Sequence, residues 1–400
     1  MAVSVAWLIS AMILCSSSTT GHWPPELANG LQNADAAIGL SHDAAEAMID
    51  ELWNEACEQH RAALAAELEA EAVTVGDVTM RLLLRTFGEA PENGHSLWIS
   101  LHGGGGTTAN VNDQQWRNQI RLYQPQEGIY VAPRAPTDTW NLWHHGHIDG
   151  LLTRLIAAYV IVHDVDPDRV YLLGYSAGGD GVYQLAPRMA DTFAAAAMMA
   201  GHPNDAQPAS LRNLPFALYA GELDHAYNRN AVAKEWGERL DGLQQEDPDG
   251  YIHHVRIMKG KGHWMDGEDS EAIEWMAGFT RNPWPGRIVW VQDDVVHERF
   301  YWLSCPPGKA VARSTVTAEV TGQVITINSS DVENITLWLR DELIDLDQEI
   351  AIVADGREVF RGMIERSRDA IRSSLTSSLD PRMAASAVIA ITLPGVEKSD

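Results

Sequence analysis

The sequence predicts an α/β fold: a doubly wound, mostly parallel sheet, preceded by a helical segment and followed by a smaller β-sandwich-like domain. Three observations carry this expectation. Between residues 75 and 281, apolar strand-like runs alternate with helical stretches, the pattern of a parallel sheet covered on both faces. Within that region, "DRVYLLGYSAGGDGV" at 168–182 runs a strand core straight into a serine set among glycines. After "RNPWPGR" at 281–287, short period-two strands replace the alternation.

The chain opens with "MAVSVAWLISAMILCSSSTTGHW". Residues 1–20 read as a signal-peptide-like stretch, apolar and then rich in small residues, although no Lys or Arg occurs before Arg61. The stretch is short for a membrane span, and no other apolar run is long enough, so the expected location is secreted or periplasmic, with the cytoplasm as the alternative. Residues 21–74 form the helical segment. Ser41 can cap a helix running through "SHDAAEAMIDELWNEACEQHRAALAAELEAEA", and Met48, Ile49, Leu52, Trp53 and Ala56 recur on one face.

The domain at 75–281 begins with the strand-like runs "VTMRLLLRTFG" and "HSLWISLHGGGG", separated by the turn-rich "EAPENG". Then "GIYVAPRAP" reads as a strand, "IDGLLTRLIAAYVIVHDV" as a helix, "RVYLLGYS" as a strand and "GGDGVYQLAPRMA" as a helix. "FAAAAMMAG" and "LPFALYAGELD" read as strands, "RNAVAKEWGERLDGL" as a helix, "YIHHVRIMKGKGH" as a strand and "EDSEAIEWMAGFT" as a closing helix. In the accessory domain at 287–400 the strands are "RIVWV", "RFYWLSC", "STVTAEV", "QVITINS", "NITLWLRD", "EIAIVADG" and "EVFRGMI". A helix, "ERSRDAIRSSL", and a last strand, "SAVIAITL", complete it.

With 29 basic and 55 acidic residues, the net charge of −26 argues against nucleic acid and anionic membranes as partners. Three cysteines cannot build a disulfide framework; Cys57 and Cys305 are either one pair or two inert thiols. Charge and length leave the oligomeric state open.

A serine hydroxyl is a weak nucleophile and needs an imidazole base, a carboxylate to orient it and donors for the oxyanion. In a parallel sheet these groups lie beyond the C-terminal strand ends. Ser176 stands there in the G-x-S-x-G pattern. The strand "LPFALYAGELD" ends at Asp224, with Glu222 as a competitor, and the next strand-like run ends at His263 between turn glycines. His253 and His254 sit at the wrong end of their strand. His144, His145 and His147 crowd one loop, but no acid or cysteine accompanies them at ligand spacing, and no metal is expected. The glycine run 103–106 after His102 turns backbone N–H groups inward, so Gly104, Gly105 and Ala177 are the candidate oxyanion donors. A Walker-type phosphate loop would want Gly-Lys-Ser/Thr, which is absent. Trp140 and Trp143 in "RAPTDTWNLWHHGH", and His202 in "AGHPND", are candidate substrate contacts, with packing as the competing role for the tryptophans.

The order Ser176, Asp224, His263 is that of an α/β hydrolase. Within that superfamily, "GYSAGGDGVYQLAPRMADTFAAAAMMAGHP" at 174–203 resembles the feruloyl esterase and polyhydroxyalkanoate depolymerase-like branch. The resemblance covers roughly residues 75 to 280 and implies a cofactor-free serine esterase cleaving a small or polymeric carboxylic ester. In it Ser176 is the nucleophile, His263 the general base and Asp224 its orienting acid. Two rival readings are a prolyl-oligopeptidase-type serine peptidase and an inactive hydrolase-fold protein that binds a polymer or carbohydrate. The first wants a propeller where this sequence reads as a short helical segment. The second would use Trp290 and Trp302 of the last domain as a binding surface.

Overall fold

The computed structural model describes residues 39–394; the signal-peptide-like stretch and Cys15 lie outside them. Helix α1 (His42–Glu69) starts where the capping signal predicts it, with the Ser41 hydroxyl accepting the Ala44 N–H at 3.3 Å. Its buried face carries Ala45, Ile49, Leu52, Ala56, His60, Leu64 and Leu68.

The elements that follow are β1 (Ala72–Val75), β2 (Val78–Phe87), β3 (Leu97–Leu101), α2 (Ala109–Gln119), β4 (Gly128–Arg134), α3 (His147–His163), β5 (Val170–Tyr175), α4 (Ala177–Arg188), β6 (Ala195–Met199), β7 (Phe216–Gly221), α5 (Arg229–Glu246), β8 (His253–Met258) and α6 (Ala272–Ala277). The eight strands form one sheet in the order β1-β2-β4-β3-β5-β6-β7-β8. Strand β2 runs antiparallel to β1 and β4, and every pairing from β4 onward is parallel. Strands β3 to β7 are buried throughout, which requires cover on both faces and explains their unbroken apolar runs. This is the α/β-hydrolase architecture.

Two elements here escape the sequence reading. Strand β1 hides in the tail of the predicted N-terminal helix and forms a hairpin with β2. Helix α2 is polar, and only Asn112, Trp116 and Gln119 are buried in it, so hydrophobic periodicity gives no signal. The predicted closing helix at 268–280 is a 3₁₀ segment (Met265–Glu271) followed by the short α6.

From Arg287 onward the chain adds β9 (Arg287–Val291), β10 (Arg299–Phe300), β11 (Leu303–Ser304), β12 (Thr315–Thr321), β13 (Val324–Ser330), β14 (Asn334–Leu339), β15 (Ile350–Ala354), β16 (Arg357–Gly362), α7 (Arg368–Ser378) and β17 (Ala387–Thr392). They make a five-stranded sheet, β16-β15-β13-β12-β9, and a four-stranded one, β10-β11-β14-β17. The single strand predicted at "RFYWLSC" is instead two short strands around a turn at Tyr301, φ 51°. The bend turns Tyr301 into the first domain, where its hydroxyl donates to Ala190 O at 2.8 Å and its N–H to Asp191 Oδ2 at 3.1 Å.

The two parts share one apolar cluster. Trp290 and Trp302, the residues on which a binding surface would rest, are buried in it, and the Trp302 indole N–H donates to Pro285 O at 2.8 Å. Buried ion pairs reinforce the seam. Arg281 bridges Asp168 and Asp380, both at 2.7 Å, and Asp149 takes Arg188 at 2.6 Å and His297 at 2.7 Å. Helix α1 spans the junction, packing on α3 and, through Ile49 and Leu52, on Ile371 and Leu375 of α7. Cys57 and Cys305 are unpaired, and burial pushes both thiols up to about 11.

Candidate active site

Strand β5 ends directly at Ser176, which holds φ 58° and ψ −121°, a backbone conformation that non-glycine residues adopt only under constraint. Its N–H donates to Met199 O at 2.9 Å, and its carbonyl accepts the Asp180 N–H at 3.0 Å. The surrounding glycines have a steric cause. A Cβ on Gly174 would lie 2.2 Å from Gly178 O, and one on Gly178 would lie 2.0 Å from Leu101 O. Ser176 is thereby lifted to the C-terminal edge of the sheet at the start of α4.

The turns after β7 and β8 bring the other two groups there. Ser176 Oγ lies 3.0 Å from His263 Nε2, and His263 Nδ1 lies 2.7 Å from Asp224 Oδ2. An ionised carboxylate can only accept, so with Asp224 charged Nδ1 carries the proton and Nε2 faces the serine hydroxyl as an acceptor. Asp224 is buried, with Arg229 Nη1 at 3.8 Å. Its competitor Glu222 is exposed and accepts the Gly260 N–H at 2.7 Å, so it braces the histidine turn from outside. Tyr175 donates its hydroxyl to His263 O at 2.9 Å and fixes the same turn from inside.

On the opposite side lies the glycine run after β3. Gly104 has φ 104°, and a Cβ there would meet Asn112 Oδ1 at 2.3 Å. Ala177 opens α4, so its N–H belongs to the first turn and has no partner within the helix. Gly105 departs from expectation: its N–H donates to Asn112 Oδ1 at 2.8 Å and is not directed at the serine. Asn112 in turn donates to Asp138 Oδ1 at 2.8 Å, and Asp138 pairs with the buried Arg134 at 2.5 Å. The hydrogen bond from Arg134 also holds Asp113 below the usual carboxylate range. A polar chain anchored on the buried Asn112 and Arg134 thus sets the loop's shape.

His102 continues that chain. Its Nε2 accepts the Ala135 N–H at 3.1 Å, so that nitrogen is unprotonated and Nδ1–H donates to Gly103 O at 2.6 Å. Burial pushes this imidazole down to about 4. Trp143, an expected substrate contact, is fully buried and donates its indole N–H to His102 O at 3.0 Å. It supports the loop from behind, because packing against α4 at Gly181 leaves no path from its ring to solvent.

A cleft of about 640 Å³ opens over Ser176, His263 and Gly104. Its walls include Tyr175, Trp264 and the α2 residues Gln115 and Gln119. Trp264 is half exposed and packs edge-on to Tyr175, with ring centroids 5.6 Å apart. Trp140 is 62% exposed beside Gly106 but does not line the cleft. His202 does not line it either; its N–H donates to Asp180 Oδ1 at 2.6 Å and its Nδ1 accepts the Asn204 N–H, so it shapes the turn after β6. Burial pushes Asp180 up to about 6. The sequence reading passes over Asn112, Gln115, Tyr175 and Trp264. The signal for the first was available: Asn112, Trp116, Gln119 and Ile120 recur at helical spacing once amides count as buried residues.

No family model and no curated protein matches the chain. Among solved structures it is similar to a thermostable esterase, at 21% identity over 52% of this chain and 62% of that one, TM-score 0.39. It is also similar to LpqC, a poly(3-hydroxybutyrate) depolymerase from Bordetella parapertussis, at 19% identity over 55% and 95%, TM-score 0.40. A ferulic acid esterase matches at 15% identity over 50% and 97%, TM-score 0.35. The chain spans less than two thirds of the first of these. Likeness at this level says nothing of substrate, and the functional reading rests on the geometry above.

Proposed function

We propose that the protein is a serine hydrolase of carboxylic esters that works through an acyl-enzyme. The observation that carries this reading is the unbroken hydrogen-bonded chain Ser176–His263–Asp224, open to a cleft beside the glycine loop. Ser176 Oγ attacks the ester carbonyl as His263 Nε2 takes the hydroxyl proton. Asp224 holds the ring in the productive tautomer and stabilises the imidazolium. The tetrahedral oxyanion is met by the N–H groups of Ala177 and Gly104. Collapse breaks the bond to the alkoxy oxygen, which leaves as the alcohol with the proton from Nε2. Water then attacks the acyl carbonyl, giving its proton to Nε2, and collapse returns that proton to Ser176 Oγ as the acid departs. Apart from the ester and water, every group in these steps belongs to the chain.

The substrate is a small or polymeric ester, and export would rest on the N-terminal apolar stretch alone. The test is labelling with a fluorophosphonate probe, followed by turnover of p-nitrophenyl acetate and of proline-containing anilides. Wild-type protein should label and cleave the ester in preference to the anilide, and Ser176→Ala should do neither. Unchanged labelling in that variant would remove the mechanism.

A further inference from the structure

We infer, resting on the ester-hydrolase reading, that this site prefers esters carrying a free carboxylate and that Arg121 recognises it. The cleft is walled on one side by the C-terminal half of α2 and a residue two positions past its end: Gln115, Asn118 and Arg121. That wall is continuous with the oxyanion loop, since a Cβ built on Gly104 would lie 3.5 Å from Gln115 Cγ. Among the described residues no Asp or Glu lines the cleft, and apart from His263 the only ionisable side chains lining it are Arg121 and Tyr175.

The neighbouring arginines are neutralised. Arg117 has Asp113 at 3.9 Å, and Arg134 has Asp113 at 2.9 Å and Asp138 at 2.5 Å. Arg121 differs: among the described residues no carboxylate lies within ion-pair distance of it, and its guanidinium makes no hydrogen bond to them. In a chain of net charge −26 the summed field repels anions, so a guanidinium without a partner at the cleft wall offers an anionic substrate a local counter-charge. Its planar fork matches a carboxylate in geometry as well as charge. A cation is also favoured at the C-terminal end of a helix for its own sake, and that competing account predicts no substrate preference.

The carboxylate can belong to the acyl part, as in a dicarboxylic hemiester, or to the alcohol, as in the acid end of a hydroxy-acid oligomer. Two matched pairs separate these sources. One is mono-4-nitrophenyl glutarate against 4-nitrophenyl methyl glutarate; the other is 4-acetoxybenzoate against its methyl ester. The readout is the ratio of kcat/KM, anionic over neutral, within each pair. In at least one pair the ratio should fall about five- to tenfold in Arg121→Gln and recover in part in Arg121→Lys. Adding salt should lower it in the wild type and leave it nearly unchanged in Arg121→Gln. Thermal melts check that the variants fold. Equal ratios in wild type and Arg121→Gln for both pairs overturn the inference and leave ester hydrolysis standing. Absence of Ser176-dependent hydrolysis of all four esters overturns the ester-hydrolase reading and takes this inference with it.

Discussion

The two sides of the site are built differently. On one side, Ser176, His263 and Asp224 come from the ends of β5, β8 and β7, and two hydrogen bonds of 3.0 and 2.7 Å join them. On the other, the glycine loop offers only backbone amides and depends on a frame of the buried Asn112, Arg134, His102 and Trp143 with the partly exposed Asp138. A side-chain nucleophile is positioned by the strand that carries it. An amide in a run of glycines has no such anchor, since glycine resists no rotation, and its direction must come from neighbours.

The comparison is sharpest at Asp224, the acid of the proposed triad. Asp224→Asn should lower kcat by about ten-thousand-fold, because an amide can donate to Nδ1 and favour the wrong tautomer. Glu222→Gln should leave kcat within a small factor of wild type. Steady-state hydrolysis of p-nitrophenyl acetate by both variants checks the assignment, and the reverse ranking would break it.

The frame is tested next through His102. Above pH 6.5 its imidazole is neutral in folded and unfolded chains alike. Between 6.5 and about 4 the unfolded chain binds a proton that the buried ring refuses, so stability falls as pH falls. The loss reaches about 3 kcal/mol near pH 4. His144, pushed down to about 4, acts in the same sense, whereas Asp180 and Asp269, pushed up to about 6 by burial, act in the opposite one. The difference between wild type and His102→Gln isolates the single group. In urea titrations, the advantage of wild type over this variant should shrink from pH 7 to pH 4.

Asn112→Ala should lower kcat by about tenfold or more with little change in KM, since direct loss of an oxyanion donor costs about a hundredfold and Asn112 acts one bond removed. Asn112→Asp should not rescue it, because a second carboxylate would face Asp138. Smallest is Trp143→Phe, which removes the hydrogen bond to His102 O at a cost of about 1 kcal/mol in stability. KM should stay unchanged, and a large rise in KM would return Trp143 to the substrate.

The side of Ser176, His263 and Asp224 was legible because Ser176 directly follows the apolar β5 and the other two lie in the turns just after β7 and β8, and such turns can be read from the pattern alone. The glycine-loop side was legible only as glycines. Helix α2 was not, because its inward face is made of Asn112 and Gln119, which look like surface residues until their partners Gly105 and Ser100 are known. Trp143 and Trp140 looked equivalent in one loop, yet three residues of separation bury the first completely and leave the second 62% exposed. The strand at "RFYWLSC" broke for a related reason: its aromatic run satisfies the seam between the two parts and not a sheet of its own.

By itself, the sequence determined the alternation of strands and helices, the change to period-two strands near residue 287, and which serine, acid and histidine stand at strand ends. These follow from side-chain periodicity and backbone propensity, which act over a few residues. Only the tertiary structure decided which amide of the glycine loop Asn112 engages, which tryptophan reaches the cleft, and that the last strands bury their aromatics against the first domain. Those outcomes depend on partners scores of residues away along the chain, and no local pattern records whether a polar group will find one.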